Sequence, residues 1–259
     1  AVQKIKKIIS DLYRQYRYLT DYSSFTDSDK NKITGMTDRM DDVTAQDALK
    51  DLAYFLSEYY GKNVIILLDE YDTPMQEAYI HGYWDEFTSF MRGFLNATFK
   101  TNPYCERAIM TGITRVSKES VFSDLNNLVV VTTTSEQYAD CFGFTEQEVF
   151  EALENYGMYD KKEAVKQWYD GFTFGAIRDI YNPWSITNFL KEKKLKPYWA
   201  ATSSNGLINK LLQGASEEVK TLMERLISGQ SIVVNFDEQI VFNRLDSDEN
   251  AIWSLLLAS

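Results

Sequence analysis

Five consecutive apolar residues, Val64-Ile65-Ile66-Leu67-Leu68, run straight into Asp69-Glu70-Tyr71-Asp72. A run this short, and β-branched at its start, is expected to be a strand. Its uniform apolarity predicts burial on both faces, as in the centre of a parallel sheet. The abrupt acidic end then sets carboxylates at the carboxyl edge of that sheet, where open α/β folds bind ligands.

The flanks support an alternating fold. Residues 1–20 read as a helix with Ile5, Ile8, Ile9, Leu12, Tyr16 and Leu19 on one face, and residues 21–42 read as a polar loop. Thr44 is expected to open a helix, with Asp47 at the capping-box position and Val43 stapled to Ala48. Leu49, Leu52, Ala53, Leu56 and Tyr60 would form its buried stripe, and Gly61 would end it. A helix over about 84–99 turns Phe87, Met91, Phe94 and Leu95 inward. Strands are expected at Arg107–Ile113 and Leu128–Val131. This alternation implies a parallel sheet.

Beyond Phe144 the pattern changes. Thr145 and Glu148 form a capping box, and Asn182-Pro183 and Ser216 each open a helix. Helices are also expected at about 161–169 and 216–228, with one strand at Ser231–Val234. The expected fold class is α/β: a parallel sheet core over residues 1–142, followed by a mainly helical subdomain over 143–259. The start lacks a Met and the end falls inside an apolar helical pattern, so both ends are expected to be cut from a longer chain.

Composition narrows the chemistry. Lys plus Arg is 27 against 38 Asp plus Glu, a net charge of -11. Phosphate backbones are held by Lys and Arg, so nucleic acid is not an expected partner of the chain as a whole, although a local basic patch is compatible with this total. Cys105 and Cys141 form no CxxC pair, and His81 is the sole histidine, which leaves no zinc set and no Ser-His-Asp triad. No apolar run approaches the roughly 18 residues of a membrane span, and the lysine-interrupted start is no signal peptide. A cytoplasmic location is the default expectation.

Four or more apolar residues followed by Asp-Glu is the Walker B pattern. A rigid strand fixes the two acids. The first, Asp69, can hold Mg²⁺, usually through a water, and the second, Glu70, can orient and deprotonate an attacking water. Thr111-Gly112-Ile113-Thr114-Arg115 ends the next expected strand beside that edge, where Arg115 could reach a γ-phosphate. Asp72, before Thr73-Pro74, reads as an Asx turn. Trp168-Tyr169-Asp170-Gly171 reads as a packed aromatic corner with a tight glycine turn.

The strings LLDEYDTP (67–74), TGITRVSKES (111–120), VFSDLNNL (121–128), FGFTEQEV (142–149), WYDGF (168–172), YNPWS (181–185) and YWAATSSN (198–205) resemble, in order and spacing, the predicted AAA-ATPase-like family of bacteria and anaerobic microbes. The resemblance covers roughly residues 45–259. It implies a P-loop protein, often fused to a PD-(D/E)XK nuclease-like domain, that uses ATP and Mg²⁺. By the same resemblance, Asp69 is the magnesium residue, Glu70 the catalytic glutamate, Arg115 the sensor at the next strand's end and Thr111 a polar sensor beside the nucleotide. Two departures accompany it. The family's arginine-rich Walker A segment has no counterpart here, since no GxxxxGK[ST] occurs. The nuclease-like domain is also missing.

The expected function is therefore an ATPase-like domain that does not hydrolyse ATP as these residues alone. The alternative is a non-catalytic module that binds a protein partner through its helical half. A metal-dependent hydrolase or nuclease acting through Asp69, Glu70 and Asp72 would need carboxylates from several elements, and these share one strand end. A glycosidase lacks a second carboxylate partner.

Overall fold

The computed structural model describes residues 1–112, 125, 128–199, 206–235, 245, 248 and 251–258. The chain forms two compact units. Unit 1 joins Ala1–Leu128 to Gly206–Ser259, and unit 2 is Val129–Asn205. This division differs from a single boundary near residue 142: the last segment packs with the first. Leu207, Ala251 and Leu255 belong to the same core as Ile9, Phe55 and Phe94.

Unit 1 begins with helix α1 (Val2–Gln15), then a 3-10 turn over Arg17–Asp21. Ile9, Tyr13 and Leu19 are buried, whereas Ile8 faces solvent. The Tyr13 hydroxyl donates to the Ala48 carbonyl at 2.7 Å. Burial, and then Asp51, push that phenol well above its ordinary range. The polar stretch 21–42 is not wholly a loop. It contains helix α2 (Asp27–Gly35), opened by a reciprocal capping box between Thr26 and Asp29.

Helix α3 (Asp42–Tyr60) starts two residues earlier than expected. Its cap is Asp41, which accepts from the Thr44 backbone N–H at 2.8 Å and from the Thr44 hydroxyl at 2.9 Å. Val43 is exposed and staples nothing. The buried stripe runs through Ala45, Ala48, Leu52, Ala53 and Phe55, and Tyr60 is exposed. Gly61 ends the helix with φ 64, a left-handed turn that only glycine makes without steric cost.

Strand β1 (Val64–Leu68) follows, then helix α4 (Thr73–His81), helix α5 (Trp84–Leu95), a π-turn at Asn96–Lys100 and strand β2 (Cys105–Met110). Phe87, Met91, Phe94 and Leu95 are buried as the periodicity requires. Each such side chain contributes roughly 1.5–3 kcal/mol by leaving water. The two strands pair in parallel, with Ile65 opposite Arg107 and Leu67 opposite Ile109. The expected burial of β1 on both faces is not found. Ile65 is 62% and Leu67 72% exposed, because among the described residues no layer covers that face. Leu128–Val131 forms no strand, and Val129 and Val130 are exposed. Apolar composition cannot by itself supply a pairing partner.

Unit 2 carries a three-stranded antiparallel sheet in the order β3-β5-β4. Strand β3 (Phe144–Thr145) leads into helix α6 (Glu146–Asn155) through the expected Thr145–Glu148 capping box. Helix α7 (Lys162–Tyr169) runs into the hairpin β4 (Asp170–Phe174) and β5 (Ile177–Tyr181). The segment Trp168–Gly171 is therefore the end of α7 and the start of β4. Helix α8 (Pro183–Glu192) is capped by Asn182, whose side chain accepts from the Ser185 N–H at 3.1 Å. Val149, Leu153, Val165, Tyr181, Ile186 and Phe189 form a core separate from that of unit 1.

The chain then returns to unit 1 as α9 (Gly206–Gly214), α10 (Glu217–Ile227), capped by Ser216, and α11 (Ala251–Ala258). The strand expected at Ser231–Val234 is irregular chain with no ladder partner among the described residues. The architecture is mixed α/β, with one small parallel and one antiparallel sheet among the described residues.

Candidate functional site

Parallel pairing of β1 with β2 brings two strand ends side by side. The pairing continues beyond both strands: the Thr111 N–H donates to the Leu68 carbonyl, and the Tyr71 N–H to the Thr111 carbonyl, each at 3.0 Å. These bonds fix the backbone that carries Asp69, Glu70 and Thr111.

Side chains then meet across the edge. The Thr111 hydroxyl donates to Oδ1 of Asp69 in a short contact. The Glu70 N–H donates to the same oxygen at 3.1 Å. Asp69 is thus oriented by a neighbouring strand and by its own chain, while remaining exposed. Glu70 adopts φ 51, a left-handed conformation that costs an ordinary residue roughly 1–2 kcal/mol. The Thr73 hydroxyl lies 3.4 Å from Oε2 of Glu70, a long and weak hydrogen bond.

Asp72 behaves differently from the turn residue expected. It is 1% exposed, at the N-terminus of α4, and its side chain makes no capping bond there. Two residues on is Pro74, which has no N–H for an Asx turn to use. Instead, Oδ2 accepts from Nε2 of Gln76 at 3.0 Å, and Oδ1 lies against Gly112. A Cβ on Gly112 would come within 2.5 Å of Oδ1 and 2.8 Å of Cγ. Gly112 therefore permits the turn after β1 to close onto the end of β2.

Of the residues singled out from sequence, Asp69, Glu70 and Thr111 come together. Arg115 lies outside the described residues. Sequence reasoning missed the buried Asp72 and its contact with Gly112. The available signal was a second Asp so close to Pro74, where an Asx turn lacks its donor.

Asp69 and Thr111 present hard oxygen donors of the kind Mg²⁺ takes. Among the described residues no three His, Cys, Asp or Glu side chains converge on one point. A single oriented carboxylate fits Mg²⁺, which keeps several waters and shares its sphere with substrate phosphates. It does not fit an all-protein metal cage, which counts against a hydrolase built on Asp69, Glu70 and Asp72 alone.

Comparison with known proteins gives the same direction. Residues 2–122 match the family described as Predicted AAA-ATPase, a stretch that contains β1, β2 and the whole strand-end site. The match takes in the LLDEYDTP and TGITRVSKES strings, whereas the strings after residue 122 lie outside it, and an ATPase-like domain is supported. An uncharacterized protein from the vnfD 5′ region of Azotobacter chroococcum mcd 1 is 28% identical over 155 residues, covering 59% of this chain and 29% of the relative. The chain therefore spans less than a third of that relative's length. No solved structure matches.

Proposed function

We propose that residues 64–115 form the Walker B and sensor edge of a Mg-ATP-hydrolysing P-loop NTPase. The reading rests on the strand-end contact in which the Thr111 hydroxyl bonds the Asp69 carboxylate. Asp69 would hold the magnesium, through water, in the orientation fixed by Thr111 and the Glu70 N–H. Bound Mg²⁺ neutralises phosphate charge during transfer. Glu70, exposed beside it, would align a water and accept its proton. Thr111 would shift its hydroxyl between Asp69 and the nucleotide, and Arg115 would stabilise charge on the γ-phosphate.

The phosphate cradle in this reading comes from sequence outside these 259 residues, since no glycine-rich GxxxxGK[ST] loop lies within them. The full-length protein is then the ATPase, and this chain alone holds nucleotide poorly. Steady-state hydrolysis by the full-length protein tests the assignment of Glu70. Glu70→Gln should retain Mg-ATP binding and lose at least about a hundredfold in turnover, the scale of a general base. Unchanged turnover would remove Glu70 from the chemistry.

The second reading is an interaction module derived from an ATPase fold. It is favoured by large side chains left exposed in unit 2, among them Trp168, Trp184 and Trp199.

A further inference from the structure

Unit 2 gathers three carboxylates around one ammonium group. Lys166, on α7, forms ion pairs with Glu146 at the start of α6 and, at 3.4 Å, with Asp179 on β5. The Tyr181 hydroxyl donates to Oε2 of Glu146 at 3.3 Å. Asp170, at the start of β4, is hydrogen-bonded side chain to side chain with Asp179. An ionised carboxylate only accepts, so two carboxyl groups share a hydrogen bond only when one carries a proton. The charged groups come from α6, α7, β4 and β5, and the cluster therefore ties the hairpin to both helices.

The backbone is bent to bring the two aspartates together. Phe172 pairs with Ile180 and Phe174 with Ile177, so Thr173 stands against both Arg178 and Asp179. That is a β-bulge, which re-aims side chains. Asp179 takes φ 57, a left-handed conformation that glycine adopts without steric cost and aspartate does not. Burial, then the hydrogen bond to Asp179 and its charge, push the Asp170 carboxyl above the usual carboxylate range. Lys166 opposes that shift, and Glu146 adds to it.

We infer that Asp170 and Asp179 share one proton whose release loosens the β4–β5 hairpin from α7, making unit 2 a pH-sensitive element. The groups facing the pair are Lys166 on α7, Glu146 on α6 and the Tyr181 phenol on β5. Lys166 is held above its ordinary value by the hydrogen bond to Glu146, and burial pushes the Tyr181 phenol well up. Both therefore keep their protons while the carboxyls titrate. Loss of the shared proton to solvent breaks the carboxyl–carboxyl bond and leaves two negative groups side by side. Asp179 then keeps only its ion pair with Lys166 to hold the bulge. The folded pKa of Asp170 lies above the unfolded one. The proton's contribution is thus fully present below the unfolded pKa and lost as pH rises through the folded one. The element closes in acid and opens as pH rises. It lies wholly within unit 2 and does not depend on the nucleotide reading of unit 1.

The test is carbon-13 NMR of the aspartate carboxyls in the chain from roughly pH 3 to 8, a span that covers ordinary and raised carboxyl groups. Hydrogen-exchange protection factors of the β4 and β5 amides are measured over the same range. The expected result is that Asp170 and Asp179 titrate as a coupled pair, with one step above the usual range. Protection should fall through that upper step. Asp170→Asn, whose amide donates to Asp179 at every pH, should keep the protection and abolish the fall. Lys166→Met should move the upper step to higher pH, and Glu146→Gln should move it lower. Far-UV circular dichroism checks that each variant is folded. If Lys166→Met does not fold, Asp170→Asn and Glu146→Gln decide the matter between them. Independent titration of both aspartates in the ordinary range overturns the inference. So does an Asp170→Asn chain with the pH dependence of the wild type, or a Glu146→Gln chain whose upper step stays in place.

Discussion

Gly112 and Asp72 meet at a contact that a single methyl group would violate, with 2.5 Å between the carboxylate oxygen and the place where a Cβ would stand. Because Asp72 is buried, the strain of Gly112→Ala cannot be relieved by swinging the carboxylate into water. We expect Gly112→Ala to lower unfolding stability by about 1–3 kcal/mol, the usual scale of overpacking. In the Asp72→Ala background the same change should cost less. A double-mutant cycle in urea should therefore show coupling of at least about 0.5 kcal/mol; strict additivity would mean that the two residues do not restrain one another. Asp41 offers a residue-scale test of titration. The Thr44 N–H, and then its hydroxyl, hold the Asp41 carboxyl below the usual carboxylate range. A folded pKa below the unfolded value means that the cap's contribution is fully present above the unfolded pKa and lost as pH falls through the folded one. NMR titration should find Asp41 depressed, and Thr44→Val should move it part of the way back. A Thr44→Val titration superimposed on the wild-type curve would contradict this.

At the scale of elements, legibility followed the kind of signal involved. Strand β1, helix α5 and the caps at Thr145, Asn182 and Ser216 rest on local chemistry, and the structure shows them where the sequence put them. Helix α2 was hidden because Ile33 is its sole buried residue, so the capping box at Thr26 and Asp29 preceded almost no apolar period. Helix α4 was hidden because Thr73-Pro74 was read as a turn, although Pro in the first turn is also a helix-start signal. The β4–β5 hairpin turns through Gly175-Ala176, without the Asn-Gly or Asp-Gly pair that marks such turns most clearly. Of the candidate site, the meeting of Asp69 with Thr111 was legible because parallel neighbours end at the same edge. The burial of Asp72 was not, because it depends on where β2 lies in space. The third strand of the expected sheet failed for a similar reason: Leu128–Val131 has the composition of a strand but no ladder among the described residues.

At the scale of the whole chain, two things stand apart from an ordinary acidic domain. Positive charge is concentrated in residues 191–196 of unit 2, and among the described residues of unit 1 one face of the β1–β2 pair is left bare. Ile65, Leu67 and Ile109 share that face through the parallel register, and all are exposed. An exposed apolar sheet face is an aggregation liability. Leu67→Lys should raise the concentration at which the chain stays monomeric in sedimentation equilibrium, without lowering its melting temperature. Unaltered association would place the self-contact elsewhere.

The central claim is that Asp69, Glu70 and Thr111 form one edge of a Mg-ATP site completed by a phosphate loop outside these residues. Calorimetric titration of Mg-ATP into the full-length protein, beside the 259-residue chain, tests it most directly. The account predicts saturable, magnesium-dependent binding by the full-length protein, weakened by Asp69→Asn, with little or no heat from the chain alone. A full-length protein that gives no Mg-ATP heat would contradict it and leave the interaction module as the reading of this fold.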